Sequence, residues 1–134
     1  MKSLLFTLAL GLGLSAYAGT YVTPSMTAEP DTAACAKNTK YYKIYLKSKN
    51  YVDAYTFWKR VYDGCPAQSK DLYIQGAEIL NWRIENAKTP EEKKKAYEEL
   101  MGMYDTRIKY FGDDEETGED YILGSMISDQ LKYY

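Results

Sequence analysis

Residues 54–79 read AYTFWKRVYDGCPAQSKDLYIQGAEI, and the spacing within this stretch determines the architecture that we predict. Ala54 is followed four residues later by Trp58, then after eight more by Pro66 and after ten more by Gly76. Two helices approach closely only where a side chain is small, so Ala54 and Gly76 predict positions where helices cross. The large side chain of Trp58 is predicted to fill the space between neighbouring hairpins. Pro66 ends the helix before it. The stretch therefore predicts a helix, a turn and a second helix, stacked on further hairpins.

Two further matches extend this pattern in both directions. Tyr42 lies 34 residues before Gly76, and the stretch from Tyr73 to Gly76 returns as residues 121–124, 48 residues later. A period of about 34 residues is that of the tetratricopeptide repeat (TPR), a stacked helical hairpin. The chain resembles this family, especially its exported Gram-negative bacterial members, over about residues 35–134. Tyr42 stands where the family prefers a smaller residue, and the second interval exceeds the family period by 14 residues.

Capping residues and apolar periodicity predict five helices. They run from about Cys35 to Lys49, Tyr51 to Asp63, Ser69 to Ala87, Thr89 to Phe111 and Thr117 to Tyr133. Asn50 ends the first, Ser69 and Thr117 cap the third and fifth, and Thr89 with Glu92 forms a capping box for the fourth. The predicted fold is all-α, a TPR-like α-solenoid of stacked antiparallel hairpins. Its packing positions are Tyr42, Ala54, Trp58, Pro66, Gly76, Ala96, Leu100 and Gly124.

The fifth helix has no following partner in this sequence. Tyr121, Gly124, Ile127 and Leu131 are predicted to line its inner side. Repeat arrays require a terminal helix with a polar outer face, and the fifth helix is apolar for that role. Either the fifth helix is the cap, or the array continues beyond Tyr134 and the C-terminus of this sequence is truncated. We favour the second alternative.

Residues 1–18 have the three parts of a secretory signal peptide. Lys2 supplies the positive start, an apolar run too short to span a bilayer follows, and Ala-Tyr-Ala at 16–18 is a small-x-small cleavage site. Cleavage leaves residues 19–34 as a flexible leader before a helical repeat domain of residues 35–134. We therefore expect an exported protein that is periplasmic, outer-membrane-associated or secreted, without a transmembrane segment after cleavage. Peripheral association of the mature protein with a membrane is an alternative that the sequence does not exclude.

The two cysteines are predicted to form a structural disulfide. Cys35 opens the first helix and Cys65 follows the second. These two helix ends lie side by side in an antiparallel hairpin, and export brings them into an oxidising compartment. Lipidation of Cys35 is not expected, because a polar-rich segment separates it from the apolar signal core.

The composition argues against catalysis and against nucleic-acid binding. The chain has no histidine, which removes the usual general base, Ser-His triads and most zinc sites. A net charge of −2 does not provide the concentrated basic surface that phosphates require, and the basic run 93–95 follows two glutamates on a solvated helix face. We predict no enzyme, no cofactor and no metal.

The acidic segment 113–118 begins like a calcium-binding loop. Gly124 stands where such a loop needs its bidentate glutamate, so the ligand cage cannot close. We therefore predict an acidic loop that connects two helices.

The family resemblance implies a groove, lined by the first helix of each hairpin, that holds a peptide or helix of another protein. The family register gives eight candidate partner-binding residues: Thr39, Lys43, Lys47, Tyr73, Ala77, Asn81, Tyr121 and Ser125. Lysine, tyrosine and amide groups together suit a polar or acidic segment. The expected function is an exported, non-catalytic protein-protein interaction scaffold of unidentified partner.

Two other functions are open. A glycan- or peptidoglycan-binding module would use aromatic side chains as stacking platforms, and the chain has 15 tyrosines together with Trp82, outside the repeat consensus. A carboxylate-dependent glycoside hydrolase is the least favoured, because the acids of the helices occupy their polar faces.

Overall fold

The structure is a computed structural model that describes residues 31–134. Within this range the chain is all-α, as predicted, with no β-strand. The helices are α1 (Thr32–Lys47), α2 (Tyr51–Gly64), α3 (Asp71–Glu85), α4 (Pro90–Phe111) and α5 (Glu119–Tyr133). The predicted signal peptide and residues 19–30 of the predicted leader lie outside the described residues.

Helix α1 begins three residues before its predicted start. The Asp31 carboxylate caps it, because Oδ1 accepts a hydrogen bond from the Ala34 N–H at 3.1 Å. Residues 32–34 therefore belong to α1 and not to the leader.

The turn between α1 and α2 corrects the predicted role of Asn50. Lys49 has a φ of 61°, its N–H donates to the Leu46 carbonyl at 3.0 Å, and the Asn50 N–H donates to the Tyr45 carbonyl at 2.9 Å. This pair of bonds is the Schellman motif that often ends helices. Asn50 begins α2 instead of ending α1, since its Oδ1 accepts from the Asp53 N–H at 3.2 Å.

Of the caps predicted for α3 and α4, only that of α4 is present. The residue before α3 is Lys70 and no side chain caps this helix, so the predicted cap at Ser69 is wrong. Thr89 caps α4 as predicted, with Oγ1 accepting from the Glu92 N–H at 3.1 Å. The Glu92 carboxylate accepts from the Lys88 N–H at 2.9 Å, so the return bond of the capping box reaches one residue farther back.

The acidic segment between α4 and α5 is a turn held by Asp114. Its Oδ1 accepts from the N–H groups of Glu116 at 3.1 Å and Thr117 at 2.8 Å, and its Oδ2 accepts from Lys70 Nζ at 2.7 Å. These bonds, that of Lys70 foremost, hold the pKa of the Asp114 carboxyl well below its usual range. Thr117 is used in this turn and Gly118 precedes α5, so the predicted cap at Thr117 is wrong.

Each helix packs against the next one along the chain, and side-chain contacts place the five helices in two layers. The first layer contains α1, α3 and α5, and the second contains α2 and α4. The hydrogen bonds between neighbours within a layer include Tyr42 to Gln75 (2.8 Å), Asn81 to Asp129 (3.3 Å) and Tyr62 with Thr106 (2.9 Å). Alternate helices therefore lie side by side, as in a stack of hairpins.

The core is organised around Trp58. This side chain is fully buried, and its indole N–H donates to the Leu72 carbonyl at 2.7 Å. A β-carbon built on Gly76 would lie 2.5 Å from the indole ring, so only glycine admits Trp58 at this crossing. Pro66 lies two residues after the end of α2, behind Cys65, and is half-buried. Other predicted packing positions that are buried are Tyr42, Ala54, Ala96 and Leu100.

The predicted inner side of α5 is wrong. Ile122 is its buried residue, with Met126 and Tyr133 packed beside it. All four residues predicted for that side are exposed: Tyr121, Gly124, Ile127 and Leu131. A β-carbon on Gly124 would meet no heavy atom within 4 Å, so this glycine marks no helix crossing. The helix carries apolar residues around most of its circumference, and α4 covers the stripe that begins at Ile122.

The predicted disulfide joins Cys35 to Cys65, with a Cα–Cα distance of 6.4 Å. Both residues are buried, and the bond ties the first turn of α1 to the residue that follows α2. No helix among residues 31–134 has both the length and the apolar character needed to cross a bilayer.

Candidate functional site

The eight predicted partner-binding residues do not form one surface. Thr39 and Lys43 lie where α1 meets α3: Thr39 Oγ1 accepts from Gln68 Nε2 at 2.8 Å, and Lys43 Nζ lies 4.0 Å from a carboxylate oxygen of Asp71. Lys47 is exposed one turn farther along α1. The polar groups of Thr39 and Lys43 are therefore engaged with the turn before α3 and with its first residue.

Tyr73 is fully buried, so its predicted role as a partner contact is wrong. Its hydroxyl donates to the Pro66 carbonyl, and burial raises its pKa well above the usual value. Ala77 packs against the core and Asn81 contacts α5. The outward positions of α3 come one residue later than the family register predicts, as the 52% exposure of Ile74 shows.

Tyr121 and Ser125 do share a site. They line an open groove of about 450 Å³ between α4 and α5, which we call the α4–α5 groove. Tyr121 is 55% exposed, whereas Ser125 is half-buried and donates to the Tyr121 carbonyl at 3.2 Å. The full lining consists of Tyr104, Tyr121, Gly124, Ser125, Ser128 and Asp129.

The acid of this groove is already hydrogen-bonded. Asp129 Oδ2 accepts from the Tyr104 hydroxyl at 2.6 Å and from Asn81 Nδ2 at 3.3 Å, and the Tyr133 hydroxyl donates to Asn81. Burial, followed by the bond to Asp129, raises the pKa of Tyr104 well above its usual value, so Tyr104 stays a donor at neutral pH. Asn81, a predicted partner contact, instead helps to hold α3 to α5.

Arg107 is the buried charged residue of the described region, with only 3% of its surface exposed. Neither Nε nor Nη2 has a hydrogen-bond acceptor, and none of the ion pairs within residues 31–134 includes it. Arg83, by contrast, donates to Glu99 at 2.9 Å. The Arg107 guanidinium lies 5.7 Å from the ring centroid of Tyr121, a wall of the α4–α5 groove. An uncompensated buried charge costs roughly several kcal/mol.

Arg107 and Asp129 are not among the predicted site residues, although the sequence carries a signal for both. Arg107 lies seven residues after Leu100, on the buried stripe of α4. Asp129 lies seven residues after Ile122, on the buried side of α5. A charged residue at a core position of an amphipathic helix is unusual. Here Asp129 lines the α4–α5 groove, and Arg107 lies close to Tyr121 of the same lining.

An apolar surface on α5 adjoins the groove. Ten large apolar residues are exposed in the described region, and five of them lie between residues 121 and 134. Leu123, Ile127 and Leu131, at 37%, 54% and 75% exposure, form one stripe that we call the α5 face. Gly124 precedes Ile127 by three residues, so the α5 face and the groove are neighbours around the helix.

Two of the other cavities among the described residues differ in their chemistry. One of about 420 Å³ includes Trp82, which is half-buried and stacks on Tyr51 with ring centroids 5.1 Å apart. It also has charged and amide side chains, among them Arg83, Asn86 and Lys88. A larger cavity, of about 560 Å³, lies at the disulfide and is lined by Thr32, Cys35, Cys65, Pro66, Ala67, Gln68 and Tyr110, with no charged side chain.

No family model matches this chain, and neither a curated protein nor a solved structure matches it. The features of the described residues that bear on function are the α4–α5 groove, the α5 face and Arg107.

Proposed function

We propose that this chain is an exported, non-catalytic scaffold of the TPR type that holds a segment of another protein. The α5 face and the α4–α5 groove form the contact surface. The observation that carries the proposal is the concentration of exposed apolar side chains on α5, because a contiguous apolar patch on a folded protein commonly marks an interaction site.

The shape of the α5 face suits an amphipathic helix. Leu123, Ile127 and Leu131 recur every four residues, so the stripe spans about 12 Å of helix axis at 1.5 Å per residue. Ridges at this spacing fit the grooves of a second helix. The partner segment would then take the place of the next helix in the stack, with its apolar side on the α5 face.

The disulfide supports the exported part of the proposal. Disulfides persist in the periplasm and outside the cell and are rare in reducing compartments. Cys35 and Cys65 are both bonded, which fits the predicted signal peptide. We propose a periplasmic or outer-membrane-associated location, with secretion as the alternative.

Affinity capture with matched surface variants tests the proposal. Ile127→Lys combined with Leu131→Lys places two charges on the α5 face, and Ile74→Lys places one on a residue of nearly equal exposure in α3. The bait is incubated with cell-envelope extract from the source cells, and bound proteins are quantified by mass spectrometry. We expect one stoichiometric partner with the wild type and with Ile74→Lys, and its loss with the double variant. Equal capture by the double variant, shown to be folded by circular dichroism, would contradict the proposal.

A second candidate function is glycan binding at Trp82. The observation that favours it is the cavity that combines this aromatic ring with Arg83, Asn86 and Lys88, because a ring face and planar polar groups suit a sugar. Co-sedimentation with purified insoluble peptidoglycan tests it. Retention of the wild type and release of Trp82→Ala would support this function, whereas a wild type that stays in the supernatant would exclude it for this polymer.

A further inference from the structure

Among residues 31–134 no acceptor pairs with Nε or Nη2 of Arg107, and packing does not explain a charge at this position. The other buried residues of α4, Leu100 and Met103 among them, are mainly apolar, and a methionine would fill the same position without burying a charge. An arginine side chain stays protonated in folded proteins, so burial does not remove the charge. The Nε and Nη2 edge of Arg107 is therefore buried without an acceptor among residues 31–134, and this edge has the geometry that binds a carboxylate or phosphate.

The position of Arg107 places that anion at the α4–α5 groove. The guanidinium lies 5.7 Å from the ring centroid of Tyr121, and Tyr104, one turn earlier on α4, lines the same groove. Ser125 and Ser128 supply hydroxyl groups on the opposite helix. Tyr121 is more than half exposed, so its ring can shift without disturbing the core.

The charges around the groove favour a monoanion. Arg107 is not part of the groove lining, but its guanidinium lies 5.7 Å from the ring centroid of Tyr121, which is. The Asp129 carboxylate lines the groove and accepts hydrogen bonds from Tyr104 and Asn81. Both a carboxylate and a phosphate can accept two parallel N–H bonds from one guanidinium, but a dianionic phosphate would meet about twice the repulsion from Asp129 that a singly charged carboxylate meets.

We propose that Arg107 binds a carboxylate of the segment that docks on the α5 face, so that the partner segment is acidic as well as amphipathic. This inference rests on the proposed function. The carboxylate belongs either to an aspartate or glutamate side chain or to a chain terminus, and the two sources are separated by the probes below.

Nuclear magnetic resonance of the arginine Nε–Hε groups tests the anchor in the folded chain. Sodium acetate is titrated against sodium chloride at constant ionic strength and pH 7. We expect a saturable shift of the Arg107 signal and no shift of Arg83, which is already paired with Glu99. N-acetylglutamate N-methylamide and N-acetylalanine are then compared, and the tighter ligand identifies a side-chain or a terminal carboxylate. No saturable shift with any of the three, or tighter binding of phosphate at pH 8, would overturn the proposal.

Arg107→Met separates the anchor from a structural role. Loss of an unpaired buried charge should raise the melting midpoint, whereas a structural role predicts a fall. Partner capture by this variant should weaken by roughly 30-fold or more, the usual minimum for truncating a buried charge contact. If Arg107→Met captures the partner as well as the wild type and the Arg107 signal does not respond to carboxylates, the proposed carboxylate site is wrong and the proposed scaffold function is unaffected. If acetate shifts the Arg107 signal but substitutions on the α5 face do not change partner capture, the carboxylate site is supported and the proposed scaffold surface is wrong.

Discussion

Replacement of Gly76 by alanine tests the crossing on which the stack depends. The added β-carbon would lie 2.5 Å from one Trp58 ring carbon, and 2.7 Å from another and from the indole nitrogen. Ordinary carbon contacts are about 3.5–4.0 Å, so the indole would have to move by about 1 Å. It has little freedom to do so, because its N–H donates to the Leu72 carbonyl at 2.7 Å and its ring stacks on Tyr62.

The magnitude follows from two opposing effects. Overpacking of a filled core costs about 1–3 kcal/mol. Alanine is favoured over glycine within a helix by about 1 kcal/mol, which offsets part of that cost. We expect Gly76→Ala to lower the free energy of unfolding by up to about 2 kcal/mol, equivalent to a melting midpoint up to about 15 °C lower for a domain of this size.

Gly124→Ala is the matched control, because this glycine is also helical but has no heavy atom within 4 Å of an added β-carbon. It should gain up to about 1 kcal/mol. Urea unfolding followed by far-ultraviolet circular dichroism, with the disulfide intact, compares the two variants. Equal stabilities for Gly76→Ala and Gly124→Ala would refute the close approach of Trp58 to α3.

Three further results are expected. Reduction of the Cys35–Cys65 bond, which spans 30 residues, should lower the free energy of unfolding by about 3–4 kcal/mol in urea, and unchanged midpoints would contradict this. Asp114→Asn should lower the melting midpoint at pH 7, because the folded state depresses the pKa of this carboxyl. That stabilisation is fully present above the unfolded pKa and is lost as pH falls through the folded pKa, so the difference between variant and wild type should start to narrow below about pH 4. Lys49→Gly should raise the free energy of unfolding by about 1 kcal/mol, since glycine adopts a φ of 61° without strain; a decrease would show that the Lys49 side chain matters more than its backbone.

The fold was predictable where local chemistry and packing agree. Ala54, Trp58 and Gly76 identified the central hairpins because small and large residues must alternate at helix crossings. Thr89 identified the start of α4 because it satisfies a free backbone N–H. Ser69 failed because a serine near a helix start is a cap only when the backbone brings its hydroxyl to that N–H, and α3 begins after Lys70 instead.

The site was less predictable because it depends on which face of α5 packs. Apolar residues surround most of that helix, so periodicity allowed more than one inner side, and the contact with α4 selected Ile122. Family register also placed Tyr73 on the surface, one residue away from the exposed Ile74. Arg107 could have been found from its place on the apolar stripe of α4, but its lack of a partner depends on the side chains of other helices.

Site-specific photo-crosslinking in the source cells tests the scaffold claim most directly. A photoreactive phenylalanine analogue is placed at Ile127, on the α5 face, or at Ile74, whose exposure of 52% matches the 54% of Ile127. The account predicts that Ile127 yields one discrete adduct with another protein, that Ile74 yields none, and that Arg107→Met diminishes the adduct. A discrete adduct from Ile74 with none from Ile127 would contradict the account and would place the partner on the outer side of α3.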